Sequence, residues 1–135
     1  MSKLSQKRDS VNYGIQHCWN IIDNPFSEIN AKERALERLI QLRSFKHLVK
    51  IVVDVWKPVT IRMKALDALA QNPKGNETFL FMIVNDSYMM YDFRKIALEG
   101  LIKAESRNHL FTLMDNVDTP IWVRKRAIEA FKTKQ

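Results

Sequence analysis

The histidines and the cysteine are the first residues of this sequence to test for chemistry. His17, His47 and His109 lie far apart, and none has a Cys or His neighbour at the spacing of a metal site. Cys18 lies in an apolar stretch, where a cysteine behaves as a small core residue. The sequence therefore predicts no metal ion, no cofactor and no catalytic residue.

The tryptophans and nearby acids offer a second possibility. Trp19, Trp56 and Trp122, together with Asp54 or Asp118, are the residues that match what a resemblance to HEAT-like DNA glycosylases implies, since those enzymes hold an exposed nucleotide with aromatic rings and an acid. However, Trp56 and Trp122 lie in predicted turns between repeats, where a large ring is expected to fill the gap between neighbours. We favour this structural role because no local motif marks an active site.

Composition and charge limit the class of protein. The 135 residues suffice for one domain, and 22 Lys and Arg against 15 Asp and Glu give a net charge of +7, which favours an acidic partner. No apolar run approaches the roughly 20 residues of a membrane span. The first ten residues lack the apolar region of a secretory signal, and a single cysteine fits a reducing compartment. We expect a cytoplasmic protein without a membrane partner.

Four similar segments provide the framework for these residues. They align on alanines spaced by 30, 32 and 30 residues, which are Ala35, Ala65, Ala97 and Ala127. Apolar residues recur at positions −4, +1 and +4 from each alanine, on the same face of a helix as the alanine. A basic column at −3 consists of Lys32, Arg62, Arg94 and Arg124. An acidic column at +2, expected to face solvent, consists of Glu37, Asp67, Glu99 and Glu129.

The spacing predicts an all-α fold, an α-α superhelix in a single domain of residues 1–135. Each copy is predicted as helix, turn, helix, so that residues 28–135 hold about three and a half helical pairs. A helix over residues 10–23 lacks the repeat pattern and is predicted to cap the N-terminal end of the stack. Residues 1–9 are predicted to be flexible.

The repeated helix, written FRKIALEGL in the third copy and VRKRAIEAF in the fourth, resembles the HEAT-like repeats of the phycobilisome-lyase type. The resemblance covers residues 28–132, with Lys32 in place of the arginine and without the glycine that often follows the helix. It implies an α-solenoid and no single activity. A HEAT-like DNA glycosylase, of about twice this length, and a bilin-lyase-type subunit stay open as alternatives.

The resemblance also implies a structural role for the basic column. In this repeat type the arginine pairs with an acid near the preceding bend, and the available acids are Asp54, Asp86 and Asp118. Contacts of the same basic side chains with phosphates are the alternative.

A non-catalytic binding module remains as the predicted function. The second helix of each solenoid pair usually lines the concave side. We predict a protein partner there, and the candidate residues are His47, Lys50, Phe79, Met82, His109 and Thr112. The alternative is nucleic acid bound by a C-terminal cluster of Arg124, Lys125, Arg126, Lys132 and Lys134. The oligomeric state stays open.

Overall fold

The computed structural model describes residues 3–133, which form eight α-helices and no strand, so the predicted all-α class is confirmed. The helices are α1 (Lys3–Asp23), α2 (Ile29–Gln41), α3 (Phe45–Val53), α4 (Val59–Gln71), α5 (Glu77–Asn85), α6 (Tyr91–Lys103), α7 (Arg107–Asp115) and α8 (Ile121–Thr133). None of these helices has the length and apolarity needed to cross a membrane.

Helix α1 is longer than the sequence pattern indicates. It begins at Lys3 rather than at residue 10, so residues 3–9, predicted to be flexible, are helical. These residues contain no glycine or proline, and Lys, Gln and Arg are good helix formers. The prediction for residues 1–2 lies outside the described part of the chain.

The chain divides into two compact units, Met1–Ala65 and Leu66–Gln135, and the division falls within α4. In the first unit α1 packs closely along α2, and α2 contacts α3 less extensively. In the second unit the closest packing joins α5 to α6 and α7 to α8. Close packing therefore joins the two helices on either side of the turns that follow α1, α5 and α7.

The aligned alanines lie in the cores of the units. Ala35 is 4% exposed, and Ala65, Ala97 and Ala127 are fully buried, which confirms the predicted register. The small side chain allows close approach between helices. In the second unit Gly100 also allows a close approach, since an added Cβ there would lie 2.9 Å from the Cβ of Ala70.

Two helix ends show how the chain turns without the missing glycine. After α2, the N–H of Ser44 donates to the carbonyl of Leu39 at 3.0 Å, the pattern of a Schellman cap. Arg43 adopts the required positive φ of 56°, and Glu105 adopts 55° at the equivalent position after α6. Both are L residues in a conformation that glycine adopts more easily.

Candidate functional site

Four turns of the same design follow α1, α3, α5 and α7. In each, the side-chain oxygen at the helix C-cap accepts a hydrogen bond from the backbone N–H two residues later. The acceptors are Asn24, Asp54, Asp86 and Asn116, and the four bonds measure 2.9, 3.0, 2.9 and 2.9 Å. The residues held at the donor position are Phe26, Trp56, Tyr88 and Asp118.

The aromatic side chains at these turns lie in solvent. Phe26 is 91% exposed, Trp56 is 93% exposed and Tyr88 is 98% exposed. The prediction that Trp56 fills a gap between repeats is therefore wrong. The bond to Asp54 fixes the backbone of Trp56 at the tip of the turn, where no neighbouring side chain covers the ring. All three rings stand nine residues before the alanine of their repeat, and this shared offset was the sequence signal for them.

Other exposed apolar side chains gather around the same turns. We define the first turn surface as residues 24–29 and 53–59, and the second turn surface as residues 86–91 and 116–121. Within the described chain, 11 of the 16 exposed large hydrophobic side chains belong to these two surfaces. The 11 are Phe26, Ile29, Val53, Val55, Trp56, Val59, Tyr88, Met90, Tyr91, Val117 and Ile121.

Lys57 joins the two turns of the first unit. Its Nζ donates to Asp54 Oδ2 at 2.7 Å and to Asp23 Oδ1 at 3.1 Å, and it lies 5.2 Å from the centre of the Trp19 ring. Burial disfavours the charged ammonium, but the bonds to both carboxylates outweigh it and raise the pKa of Lys57. The bond from Lys57 and that from the Trp56 N–H lower the pKa of Asp54. This bridge fixes the first turn surface.

Ring contacts join the two turns of the second unit. The rings of Tyr91 and Trp122 lie 4.8 Å apart, and the Arg94 guanidinium lies 6.0 Å from the Trp122 ring. Trp122 is half-buried and contacts Tyr91 of the preceding repeat, as predicted, but it lies in the first turn of α8 rather than in a turn between helices. A cleft of about 280 Å³ separates the turns, and its walls are Asn85, Ser87, Arg94, Asn116, Asp118, Thr119 and Pro120.

The basic column is largely structural. Arg62 acts on the predicted Asp54, since its charge adds to the Lys57 bond in lowering the pKa of that carboxyl, and two arginines of the column also donate to backbone carbonyls. Arg62 Nε donates to the carbonyl of Val52 at 2.9 Å, and Arg94 Nε donates to that of Val84 at 2.8 Å. Each arginine thus stabilises the last turn of the preceding odd-numbered helix. Arg124 differs, because its Nε is buried without a hydrogen-bond partner.

The burial of Lys32 and of the acidic column can also be compared with the sequence predictions. Lys32 is buried, so its side chain cannot contact a phosphate in solvent. Glu37, Asp67 and Glu129 are exposed as expected, whereas Glu99 is half-buried beside Arg126.

The residues predicted to line the concave face differ in the solvent exposure of their side chains. In the first unit, His47 is half-buried, accepts or donates a 2.7 Å bond with Ser44 Oγ, and packs on Trp19, while Lys50 is exposed. In the second unit, Met82 is 62% exposed and Thr112 is exposed.

His109 repeats the arrangement of His47, with a 2.6 Å bond to Ser106 Oγ and its ring 4.8 Å from that of Phe81. Phe79 is half-buried, and Phe111, which sequence reasoning missed, is 61% exposed. The accessible apolar groups of the second unit outside its turns are therefore Met82 and Phe111, together with Ile128 on α8.

The C-terminal basic cluster is only partly available for phosphate. Arg126 makes a two-bond pair with Glu99 at 2.6 and 2.9 Å, and those bonds raise the pKa of Arg126. Arg124 is half-buried. Lys125 and Lys132 are exposed, and Lys134 lies outside the described residues.

Two residues considered for a nucleotide pocket have other surroundings. The Asp54 carboxylate accepts a hydrogen bond from Lys57, and Trp56 is exposed to solvent. Among residues 3–133, no three His, Cys, Asp or Glu side chains are grouped so as to hold a metal ion. Comparison of the chain with protein-family models, curated proteins and solved structures finds no match.

Proposed function

We propose that this chain is a protein-interaction module in which each unit binds protein through its own turn surface. The observation that carries the proposal is the concentration of exposed apolar side chains there, with Phe26, Trp56 and Tyr88 each more than 90% exposed. Contiguous exposed apolar groups on a soluble protein commonly mark an interaction site. Trp and Tyr are also the residues that most often carry interface energy.

The turns are suited to binding because their backbones are already ordered. Each aromatic residue of the three turns is fixed by a hydrogen bond to the preceding Asn or Asp side chain. An ordered backbone loses less conformational entropy on association, which leaves more of the contact energy as affinity. In the second unit, the cleft walls next to Tyr88 and Val117 add polar groups that a partner backbone could use for hydrogen bonds.

The regular helix pairs and their 30- and 32-residue spacing support assignment to the HEAT-like repeats, with an α-solenoid as the accompanying proposal. In such a solenoid, the outward faces of α5 and α7, with Met82 and Phe111, are the competing protein-binding surface. The bilin-lyase and glycosylase alternatives have no supporting observation among the described residues.

Differential capture with matched variants tests the proposal. The bait variants are Phe26→Ser/Trp56→Ser and Tyr88→Ser, and the controls are Tyr13→Ser, at a 76% exposed ring on α1, and Met82→Ser/Phe111→Ser. We expect a protein that binds the wild type and the controls but not the turn variants, and that binds the wild type again once it is purified. Loss of binding only with Met82→Ser/Phe111→Ser would move the site to α5 and α7 and refute the proposal.

A salt titration separates this function from nucleic-acid binding. A basic module with about five phosphate contacts loses about 10² to 10³ in affinity between about 50 and 200 mM salt. Contacts with Trp56 and Tyr88 are apolar and should change far less over that range. Nanomolar binding of duplex or single-stranded DNA or RNA at about 150 mM salt, lost on neutralising Lys125 and Lys132, would make nucleic acid the partner.

A further inference from the structure

The solvent-facing charge around the first turn surface identifies the kind of partner. Its one cation, Lys57, has a side chain that is only 8% exposed, and two adjacent cations are also withdrawn from solvent, Lys32 at 8% and Arg62 at 7% exposed. The Asp23 side chain is 56% exposed and Glu28 is exposed. The protein as a whole carries +7, yet the ionic groups that these two turns and the end of α1 expose to solvent are carboxylates.

Two cations that reach solvent lie outside the first turn surface. Lys50 on α3 is exposed, with its Nζ 5.7 Å from the Trp19 ring that Lys57 also contacts. Lys64 lies further along α4 and is 53% exposed, but it faces Glu33 at 4.0 Å. Arg62 is directed inward, with its Nε bonded to the carbonyl of Val52. Within residues 24–29 and 53–59, the rings of Phe26 and Trp56 are therefore accompanied at the surface by carboxylates and by no exposed cation.

We propose that the first turn surface binds a protein segment that carries apolar anchor residues flanked by Lys or Arg. This inference rests on the proposed function and specifies the partner of the same surface. The apolar anchors would pack on Phe26 and Trp56, and the flanking cations would lie near Glu28 and Asp23. Charge of the opposite sign at the rim of an interface speeds association and excludes partners of the wrong charge.

Two other occupants are disfavoured by the same charges. Two copies of the chain joined through this surface by two-fold symmetry would place like carboxylates opposite one another. An anionic lipid bilayer attracts clusters of Lys and Arg, whereas the exposed ionic groups here are Asp23 and Glu28. A basic segment with apolar anchors satisfies both the rings and the carboxylates.

The Lys57 bridge makes this surface a preorganised one. Because Lys57 contacts both Asp23 and Asp54, the turn that carries Trp56 is held against the end of α1, next to the turn that carries Phe26. A partner therefore meets two rings whose supporting turns are already connected.

A random peptide library displayed on phage tests the partner chemistry directly. Clones are selected on the wild-type protein and counter-selected on Phe26→Ser/Trp56→Ser, whose replaced rings are both more than 90% exposed in the wild type and are not needed for the core. Thermal melting verifies that the double variant folds. Selected peptides are then synthesised, and their affinities are measured for wild type, the double variant, Glu28→Lys and the control Tyr13→Ser.

We expect the turn-dependent peptides to combine apolar residues with an excess of Lys and Arg over Asp and Glu. Their binding should weaken about thirtyfold or more in the double variant, as for loss of an interface hot spot. It should weaken about threefold to fivefold in Glu28→Lys, as for a rim charge, and stay unchanged in Tyr13→Ser.

The remaining outcomes separate the two proposals. Turn-dependent peptides that are neutral or acidic would overturn the partner chemistry and leave the proposed function standing. A selection without any turn-dependent peptide would overturn both. Vesicles of anionic phospholipid that sediment the wild type but not the double variant would assign the surface to lipid. A wild-type dimer that Phe26→Ser/Trp56→Ser dissociates in sedimentation velocity would assign it to a second copy.

Discussion

Replacing Lys57 by methionine measures how strongly its bridge holds the first turn surface. Methionine retains most of the apolar stem, so the substitution removes mainly the ammonium and its bonds to Asp54 at 2.7 Å and Asp23 at 3.1 Å. A hydrogen bond to a charged group contributes about 1.5–3 kcal/mol. The two carboxylates are 34% and 56% exposed, so solvent takes over part of their stabilisation in the variant.

We therefore expect Lys57→Met to lower the free energy of unfolding by about 2 kcal/mol, less than the 3–5 kcal/mol of a fully buried pair. For a chain of this size the melting midpoint should fall by about 8 °C. Lys64→Met is the matched control, because Lys64 and Glu33 are 4.0 Å apart with side chains 53% and 37% exposed, and a solvent-accessible pair of this kind contributes at most about 1 kcal/mol. Circular dichroism melting at neutral pH measures both.

The pH dependence of the stability difference between the wild type and Lys57→Met provides a second measurement. The pKa of Lys57 is raised in the folded state, so its contribution is complete below its ordinary pKa of 10.5 and is lost as the pH rises through the folded value. The pKa of Asp54 is lowered, so its contribution is complete above its ordinary pKa of 3.8 and is lost as the pH falls through the folded value. Equal melting midpoints for Lys57→Met and Lys64→Met at neutral pH would refute the bridge.

Three further substitutions or titrations address other parts of the fold. Gly100→Ala should destabilise the second unit by about 1 kcal/mol, because crowding against Ala70 at 2.9 Å exceeds the gain in helix propensity; urea unfolding measures it. Glu105→Gly should raise the melting midpoint through relief of a φ of 55°, by about 0.5–1 kcal/mol in stability. Burial lowers the pKa of His47 below its ordinary 6.5, and the charges of Lys50 and Lys46 lower it further. The contribution of neutral His47 to stability is therefore complete above pH 6.5 and is lost as the pH falls through the pKa of the folded state. An NMR titration in which His47 shows a pKa of 6.5 or higher would contradict this assignment.

The sequence by itself determined the helices and their buried faces. A helix places residues three and four apart on one side, so the apolar offsets around Ala65 and Ala97 predict burial without knowledge of any neighbour. Both alanines are fully buried. The start of α1 could not be located in this way, since residues 3–9 have helix-forming composition but no apolar stripe to mark them.

Tertiary structure decided the candidate site. Whether a ring in a turn is covered depends on residues from other repeats, and the same residue type has opposite outcomes at Trp56, which is 93% exposed, and Trp122, which packs on Tyr91. The partners of the ionic groups are equally non-local. Lys57 donates to Asp23, 34 residues away in the sequence, and Arg62 donates to the backbone carbonyl of Val52. A backbone carbonyl is present at every residue, so no sequence pattern singles out the one that an arginine will reach.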